Sequence, residues 1–105
     1  MVFELKAGEE QLVDIRASLF RGIELVEGRL KITNRRVLFE PTILNIQRQT
    51  EEIPFAEIVE VRKRKTMHIV PNGMLIRTKL GVEYKFVVRG RDRLIGLIQK
   101  YLSQM

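Results

Sequence analysis

The stretch LKITNRRVLFEP, residues 30–41, joins two alternating apolar runs through four polar residues. Antiparallel pairing of the two runs places Ile32 opposite Val37 and Leu30 opposite Phe39. Every buried residue then faces another buried residue, whereas a slip by one residue would turn the apolar side chains of one strand to solvent. This register constrains the fold more than any other feature of the sequence, and it predicts a hairpin of two half-buried strands.

The polar joint of this hairpin is expected to form a two-residue turn at Asn34 and Arg35. Asparagine tolerates the positive φ angle that such turns need. Arg36 is then the first residue of the returning strand, and we expect it to point outward beside Thr33. The pattern predicts a strand-end charge in solvent at the rim of the sheet.

Alternation elsewhere in the chain predicts further strands. In residues 11–20 (QLVDIRASLF), alternation places four apolar residues on one side, as in a half-buried strand: Val13, Ile15, Ala17 and Leu19. Residues 51–65 (EEIPFAEIVEVRKRK) read as two short strands separated at Pro54, because proline cannot donate a hydrogen bond to a strand ladder.

Residues 73–88 predict a second hairpin, with a three-residue loop at positions 79–81. Gly81 lies where such a loop needs a left-handed residue. Its outward face is expected to carry Arg77, Lys79, Glu83 and Lys85. The predicted cross-strand pairs are Thr78 with Val82, Arg77 with Glu83, Ile76 with Tyr84, and Met74 with Phe86.

The apolar period changes after Gly90. Apolar side chains then recur at helical spacing, which predicts an amphipathic C-terminal helix with Asp92 near its start. Several short antiparallel strands followed by one amphipathic helix indicate a small barrel whose open mouth is plugged by the apolar face of the helix. The residues of that face are Leu94, Leu97, Ile98, Tyr101 and Leu102.

The stretches EGRLKITNRRVLFEP (residues 27–41), EEIPFAEIVEVRKRK (51–65) and GMLIRTKLGVEYKFVV (73–88), followed by the closing helix, resemble the GRAM domain family. The resemblance runs from about Leu12 to the end of the chain. It implies a mainly β fold with one helix: a pleckstrin-homology-like barrel of two nearly orthogonal antiparallel sheets capped by a C-terminal α-helix. We expect residues 1–105 to form one such domain, a stand-alone GRAM domain of the bacterial type.

The inventory of reactive side chains argues against an enzyme and against a metal or other cofactor. The chain has no cysteine and one histidine, His68, which is expected to lie in a loop or at a strand end. Its glycines form no phosphate-binding motif, and no Gly-x-Ser-x-Gly elbow is present. The adjacent carboxylates at Glu9–Glu10 and Glu51–Glu52 point to opposite faces on strands, so neither makes an acid–base pair. We expect a non-catalytic binding or scaffolding module.

The positive charge of the chain is concentrated in its second half. The net charge is +6, and residues 55–105 hold eleven basic residues against four acidic ones. Such asymmetry favours an anionic partner. The chain shows no secretory signal and no apolar run long enough to span a bilayer, so we expect a cytoplasmic protein, with peripheral membrane contact as a further expectation.

The candidate ligand-binding residues are the exposed cations of this half. They are Arg62, Lys63, Arg64, Lys65, Arg77, Lys79 and Lys85. Lys63 and Lys65 share the strand face of Val59 and Val61, which is expected to point inward, so these two lysines should lie near the mouth of the barrel. We expect the basic face to associate weakly with an anionic membrane surface or with lipid headgroups, the role that the resemblance implies for some relatives.

The resemblance implies that a specific phosphoinositide pocket, as in pleckstrin-homology relatives, would draw on basic residues of the first two strands and their loop, and such a pocket is less favoured here. In that region Arg21 is offset by Glu24 and Glu27. No small-molecule substrate is expected.

Two other classes of partner remain open. The open strand edges of such a barrel can pair with a peptide or with a second copy of the chain. The apolar residues expected outside the core are Leu38, Ile43, Ile46 and Leu75. Nucleic-acid binding fits the sequence pI of about 10.1, but the chain has no tryptophan and its aromatic residues read as core, so this class is the least favoured.

Overall fold

Seven antiparallel strands and a C-terminal helix make up the part of the chain that the computed structural model describes, residues 4–42, 49–66 and 70–105. At positions 65, 66, 70 and 71 the description covers the backbone only. The elements are β1 (Gln11–Arg21), β2 (Glu24–Thr33), β3 (Arg36–Pro41), β4 (Glu51–Pro54), a 3-10 turn (Phe55–Glu57), β5 (Ile58–Thr66), β6 (Val70–Thr78), β7 (Glu83–Val88) and α1 (Arg91–Leu102).

The strands form one curled sheet in the order β4-β3-β2-β1-β7-β6-β5. Neighbouring strands of the sheet are consecutive in the chain except β1 and β7, which join the two halves of the sheet through three residue pairs, Ala17–Val88, Ser18–Val87 and Leu19–Phe86. The predicted mainly β barrel with a C-terminal helix is confirmed. The two sheets expected from the sequence are the two halves, β4-β3-β2-β1 and β7-β6-β5, of this continuous sheet.

Both predicted hairpins have the predicted register. Strands β2 and β3 pair Leu30 with Phe39 and Ile32 with Val37. Strands β6 and β7 carry the pairs expected from the sequence, and Gly81 has a φ of 86°, in the left-handed region that such loops require. Alternation of apolar and polar residues was therefore enough to specify the register.

Strand β5 departs from the expected pattern at its start. The pairing of β5 with β6 shifts between Ile58 and Glu60, so Val59 is an extra residue in the ladder. Val59 is 47% exposed, and its predicted inward position is wrong. Val61, after the shift, is buried as expected.

The helix α1 fills the concave side of the sheet. Its side chains Leu94, Ile95 and Ile98 are buried in the main apolar cluster, and the Tyr101 ring stacks on Phe55 with ring centroids 5.9 Å apart. The other apolar helix residues that the sequence placed on this face, Leu97 and Leu102, are partly buried against the same cluster. The predicted role of the helix as a plug is confirmed, and Ile95 adds to the predicted face.

A glycine in strand β2 allows a close approach to strand β3. A Cβ atom at Gly28 would lie 2.7 Å from the Phe39 ring, 2.9 Å from the Cα of Pro41, and closer still to the carbonyl oxygen of Glu40. Two of these neighbours are backbone atoms of β3, which cannot move away independently of the strand. Only glycine therefore permits this approach of β2 to β3.

Replacing Gly28 with Ala should lower the free energy of unfolding by about 1–3 kcal/mol, because β3 must shift to admit the methyl group. Gly96→Ala is the matched control, since a Cβ there would meet no atom of the described structure within 4 Å. That substitution should raise the free energy of unfolding by up to about 1 kcal/mol through better helix propensity. Urea denaturation measures both changes, and a Gly28→Ala protein as stable as the parent would refute the close approach.

Candidate functional site

The two adjacent arginines at the β2–β3 turn differ in solvent exposure. Arg35 is exposed, but Arg36 is only 7% exposed, so its predicted position in solvent is wrong. The Arg36 guanidinium makes a bidentate contact with the buried Glu9 carboxylate. Nε donates to Oε2 at 2.7 Å and Nη2 donates to Oε1 at 2.8 Å. This long side chain turns back over the sheet because a carboxylate from the segment before β1 meets it there.

The Glu9 carboxylate receives two further hydrogen bonds. The Thr33 hydroxyl donates to Oε2 at 2.6 Å, and the backbone N–H of Lys6 donates to Oε1 at 2.8 Å. Thr33 is fully buried, which corrects its predicted outward position. The hydrogen bonds from Arg36, helped by those from Thr33 and Lys6, lower the pKa of Glu9 from 4.5 to about 2, against the opposing effect of burial.

This cluster anchors the segment before β1. Asn34 adds to it, because its Oδ1 accepts from the Glu10 backbone N–H at 2.8 Å and its own N–H donates to the Glu10 carbonyl at 3.1 Å. Arg36 also donates to the Glu4 carbonyl at 2.8 Å and lies 3.3 Å from Glu52 Oε1. The donors around Glu9 are satisfied within the protein, so the cluster is a structural clamp between residues 4–10 and the β2–β3 turn.

The lowered pKa of Glu9 predicts a specific loss of stability in acid. Its contribution is complete above about pH 4.5, the unfolded-state value, and is lost as the pH falls towards about 2, the folded-state value. Glu9→Gln should lower the free energy of unfolding at neutral pH by about 3 kcal/mol, since it leaves Arg36 buried with a weakened partner.

Chemical denaturation at a series of pH values measures this effect. The Glu9→Gln protein should lose less stability than the parent between about pH 4.5 and 2. Glu10→Gln, which changes the adjacent exposed carboxylate, is the control and should keep the parent profile. Parallel profiles for the parent and Glu9→Gln would contradict the assignment of acid sensitivity to the clamp.

Four of the seven predicted basic residues share the outer face of β5, β6 and β7, which we call the basic face: Arg62, Arg64, Arg77 and Lys85. Arg62 and Lys85 flank Leu75 in the strand register. Leu75 is only 2% exposed, so the prediction that it is an exposed apolar residue is wrong. The aliphatic stems of its basic neighbours are long enough to cover it while their charges stay in solvent.

The charges of the basic face are partly compensated. Glu60 lies 3.6 Å from Arg62 and 3.2 Å from Arg77, with all three side chains well exposed. Arg64 lies over the Phe20 ring, 5.6 Å from its centroid. Exposed ion pairs of this kind are weak, so the arginines still contribute to the field of this face.

Two further predicted basic residues, Lys63 and Lys79, lie outside the basic face. Lys63 is opposite the core residue Met74 and approaches Asp92 at the start of α1, with 3.3 Å between Nζ and Oδ1, which agrees with a place at the mouth of the barrel. Lys79 is exposed in the β6–β7 turn. The side chain of Lys65 lies outside the described structure. The structure therefore groups four of the seven and places Lys79 at one end of them.

Two turns carry exposed apolar residues for which the sequence analysis assigned no role. Ile23, in the β1–β2 turn, is fully exposed, and Leu80, in the β6–β7 turn, is 87% exposed. Each is adjacent to a glycine with positive φ, Gly22 or Gly81. Because β1 runs antiparallel to β7, the C-terminal end of β1 and the N-terminal end of β7 lie close together, and so do the turns next to them. An apolar residue beside a turn glycine is the sequence signal for these tips.

The other expected interaction residues give a mixed result. Leu38 is 3% exposed, which corrects its predicted outward exposure. Ile43, Ile46 and His68 lie outside the described residues. In the described ranges, no helix is long and apolar enough to cross a membrane, and no group of three potential metal ligands occurs.

Comparison with solved structures defines the class of this fold. The C-terminal domain of a Leishmania infantum protein superposes with a TM-score of 0.77 at 24% identity, covering 91% of this chain and 87% of that one. The Vps36 N-terminal PH domain gives 0.75 at 12% identity, with coverage of 96% and 84%. The N-terminal PH domain of human ARAP2 gives 0.68 at 14% identity, with coverage of 91% and 80%. The chain has a pleckstrin-homology-like fold.

The family profile of the GRAM domain matches residues 1–105. The chain therefore belongs to the GRAM domain family. GRAM and pleckstrin-homology-like domains are generally non-catalytic modules that bind lipids or proteins.

Proposed function

We propose that this protein associates weakly with anionic membrane surfaces through the basic face and the adjacent turn tips. The observation that carries the proposal is Leu80, which is almost fully exposed at the end of the basic face and directly follows Lys79. An apolar side chain held in water beside a cation suits the boundary between lipid headgroups and acyl chains.

The electrostatic part of the interaction comes from five cations. Each basic residue near an anionic leaflet contributes about 1 kcal/mol. Two carboxylates, Glu60 and Glu83, lie in register with Arg77 and reduce the field. The surplus of positive charge is modest and supports reversible attraction. The cations are Arg62, Arg64, Arg77, Lys79 and Lys85.

The apolar part comes from Leu80 and Ile23. Burying such a side chain completely stabilises by about 1.5–3 kcal/mol, and partial insertion into headgroups by less. Neither the charges nor the tips suffice alone, because stable peripheral binding usually takes two signals. Together they support weak binding that needs both anionic lipid and access of the tips to the bilayer.

Recognition is proposed to be delocalised, without a stereospecific headgroup pocket. Arg21, at the end of β1, is the nearest basic residue to the first turn, and it donates to Glu51 Oε2 at 3.0 Å and to the Gln49 carbonyl. Its guanidinium is therefore engaged within the protein. This supports attraction by surface charge in place of a phosphoinositide site at the β1–β2 turn.

Co-sedimentation with vesicles tests the proposal, with neutral phosphatidylcholine vesicles compared against vesicles containing about 30% phosphatidylserine. Binding should require the anionic lipid and should fall strongly between about 0.05 M and about 0.5 M NaCl, because exposed charges are screened. Lys79→Glu/Lys85→Glu should abolish most binding, and Leu80→Asp should weaken it. Arg89→Glu/Arg93→Glu, with the same charge change away from this face, is the control and should bind nearly as the parent does.

Three results would overturn the proposal. Binding that persists at about 0.5 M NaCl, or an affinity that differs strongly between phosphoinositide isomers, would indicate a stereospecific headgroup pocket. Equal losses in the two double variants would show that only total charge matters. Absence of binding to anionic vesicles at low salt would remove membrane association altogether.

A further inference from the structure

The first half of strand β1 has one edge without a neighbouring strand in the described structure. Pairing with β7 covers only Ala17 to Leu19, while pairing with β2 continues along the other edge to Gln11. Cavities line this edge, and one is touched by the four consecutive residues 15–18, another by the four consecutive residues 12–15. Successive side chains of a strand point to opposite faces, so a cavity that touches four in a row runs along the edge of the strand.

Helix α1 and the β7–α1 connection form the opposite wall of this groove. The helix packs mainly against β5, β6 and the 3-10 turn, which leaves a gap between it and β1. Leu94, Gly96 and Leu97 face Leu12 and Val13 across a cavity that continues from the others. We call the whole depression, bounded by residues 12–18 and by residues 87–100, the β1–α1 groove. Its floor is largely aliphatic.

The rim of the β1–α1 groove is basic. Arg16, Arg89 and Arg93 are exposed, and none of their side chains forms a hydrogen bond or ion pair with any part of the chain that the structure describes. Lys100 extends the rim along the helix. The carboxylate in the lining, Asp14, is bound to Arg29 with 2.7 Å between Oδ1 and Nε. The groove therefore offers positive charge that nothing in the described chain neutralises.

Two further features suit an extended chain in this groove. The Oδ1 atom of Asn72, in the lining, is buried and has no hydrogen-bond partner in the described structure, so it can accept from an N–H group. Gly96 lies where a Cβ would meet no described atom within 4 Å. Glycine inside a helix costs about 1 kcal/mol relative to alanine, and here its small size widens the groove.

We propose that the β1–α1 groove binds an extended acidic peptide segment of a partner protein, which adds as a strand to the free edge of β1. Strand addition supplies hydrogen bonds to the open backbone edge, alternate apolar side chains enter the aliphatic floor, and acidic side chains meet the basic rim. The edge at residues 12–16 is roughly 17 Å long and accommodates about five residues. This site is separate from the basic face and does not depend on membrane association.

The end strands of the sheet are poorer places for strand addition. Strand β4 has four residues and ends at Pro54. Strand β5 carries Glu60, Arg62 and Lys63, and such charges are a common protection of edge strands against pairing. The helix also reaches β5, where the Gln99 side chain approaches the Val61 carbonyl at 3.5 Å. The free half of β1 also carries charges, Asp14 and Arg16, but it contains no proline and a cavity separates it from the helix.

Fluorescence anisotropy with a labelled peptide of alternating Glu and Val tests the proposal. A peptide of alternating Lys and Val, and a Glu–Val peptide with a central proline, should both bind at least about tenfold more weakly, because charge and backbone donors are each required. Amide shifts of the isotope-labelled protein should concentrate at residues 12–16 and along the facing side of α1.

Three variants distinguish peptide binding in the groove from effects on folding and from binding at the basic face. Gly96→Leu should fill the groove and weaken peptide binding about tenfold while keeping or raising the melting temperature. Arg89→Glu/Arg93→Glu should have a similar effect on peptide binding, whereas Lys79→Glu/Lys85→Glu, which tests membrane association, should change it less than about twofold. No anisotropy change with the acidic peptide, unchanged affinity in Gly96→Leu, or amide shifts confined to the basic face would overturn the proposal.

Discussion

The concave side of the curled sheet must be covered, and one twelve-residue helix covers it. A sheet with one apolar face needs a second layer, and here the second layer is α1 with its three buried aliphatic side chains. The start of the helix is fixed by Arg91, whose Nη1 donates to the carbonyl oxygens of Arg64 at 2.9 Å and Gly73 at 3.3 Å. Because this anchor holds the helix over β5 and β6, it also leaves the gap beside β1. The position of the plug thus decides which surfaces remain available for binding.

Two cationic surfaces of different shape follow from this arrangement. The basic face lies on the outer side of the sheet and ends at the exposed tips of Ile23 and Leu80, whereas the β1–α1 groove is concave with an aliphatic floor. A flat charged layer fits the first surface, and a narrow extended chain fits the second. Net charge alone cannot distinguish these uses, because it sums residues that the fold separates.

Local sequence patterns predicted the fold, but they did not predict most of the geometry of the candidate binding surfaces. Alternation with period two specified both hairpin registers, and helical spacing specified the plug. Arg36 was placed wrongly because its partner, Glu9, lies 27 residues earlier, outside any window of strand pattern. Leu75 was expected in solvent because alternation shows which face a residue occupies but not whether long neighbouring side chains cover it. The free edge of β1 depends on where β7 stops pairing, a relation between distant segments that no short motif encodes.

The order of the strands also bears on how the chain folds. All strand pairings except β1 with β7 join segments that are consecutive in sequence, so two hairpin units can form from nearby contacts before they meet. Among the strand pairings of the described residues, the three-residue β1–β7 contact requires the largest loop to close, and such closure is the slow, entropically costly part of folding. We therefore expect the transition state to be organised around the β1–β7 junction, with φ-values highest near Leu19 and Phe86 and low at the Glu9–Arg36 clamp.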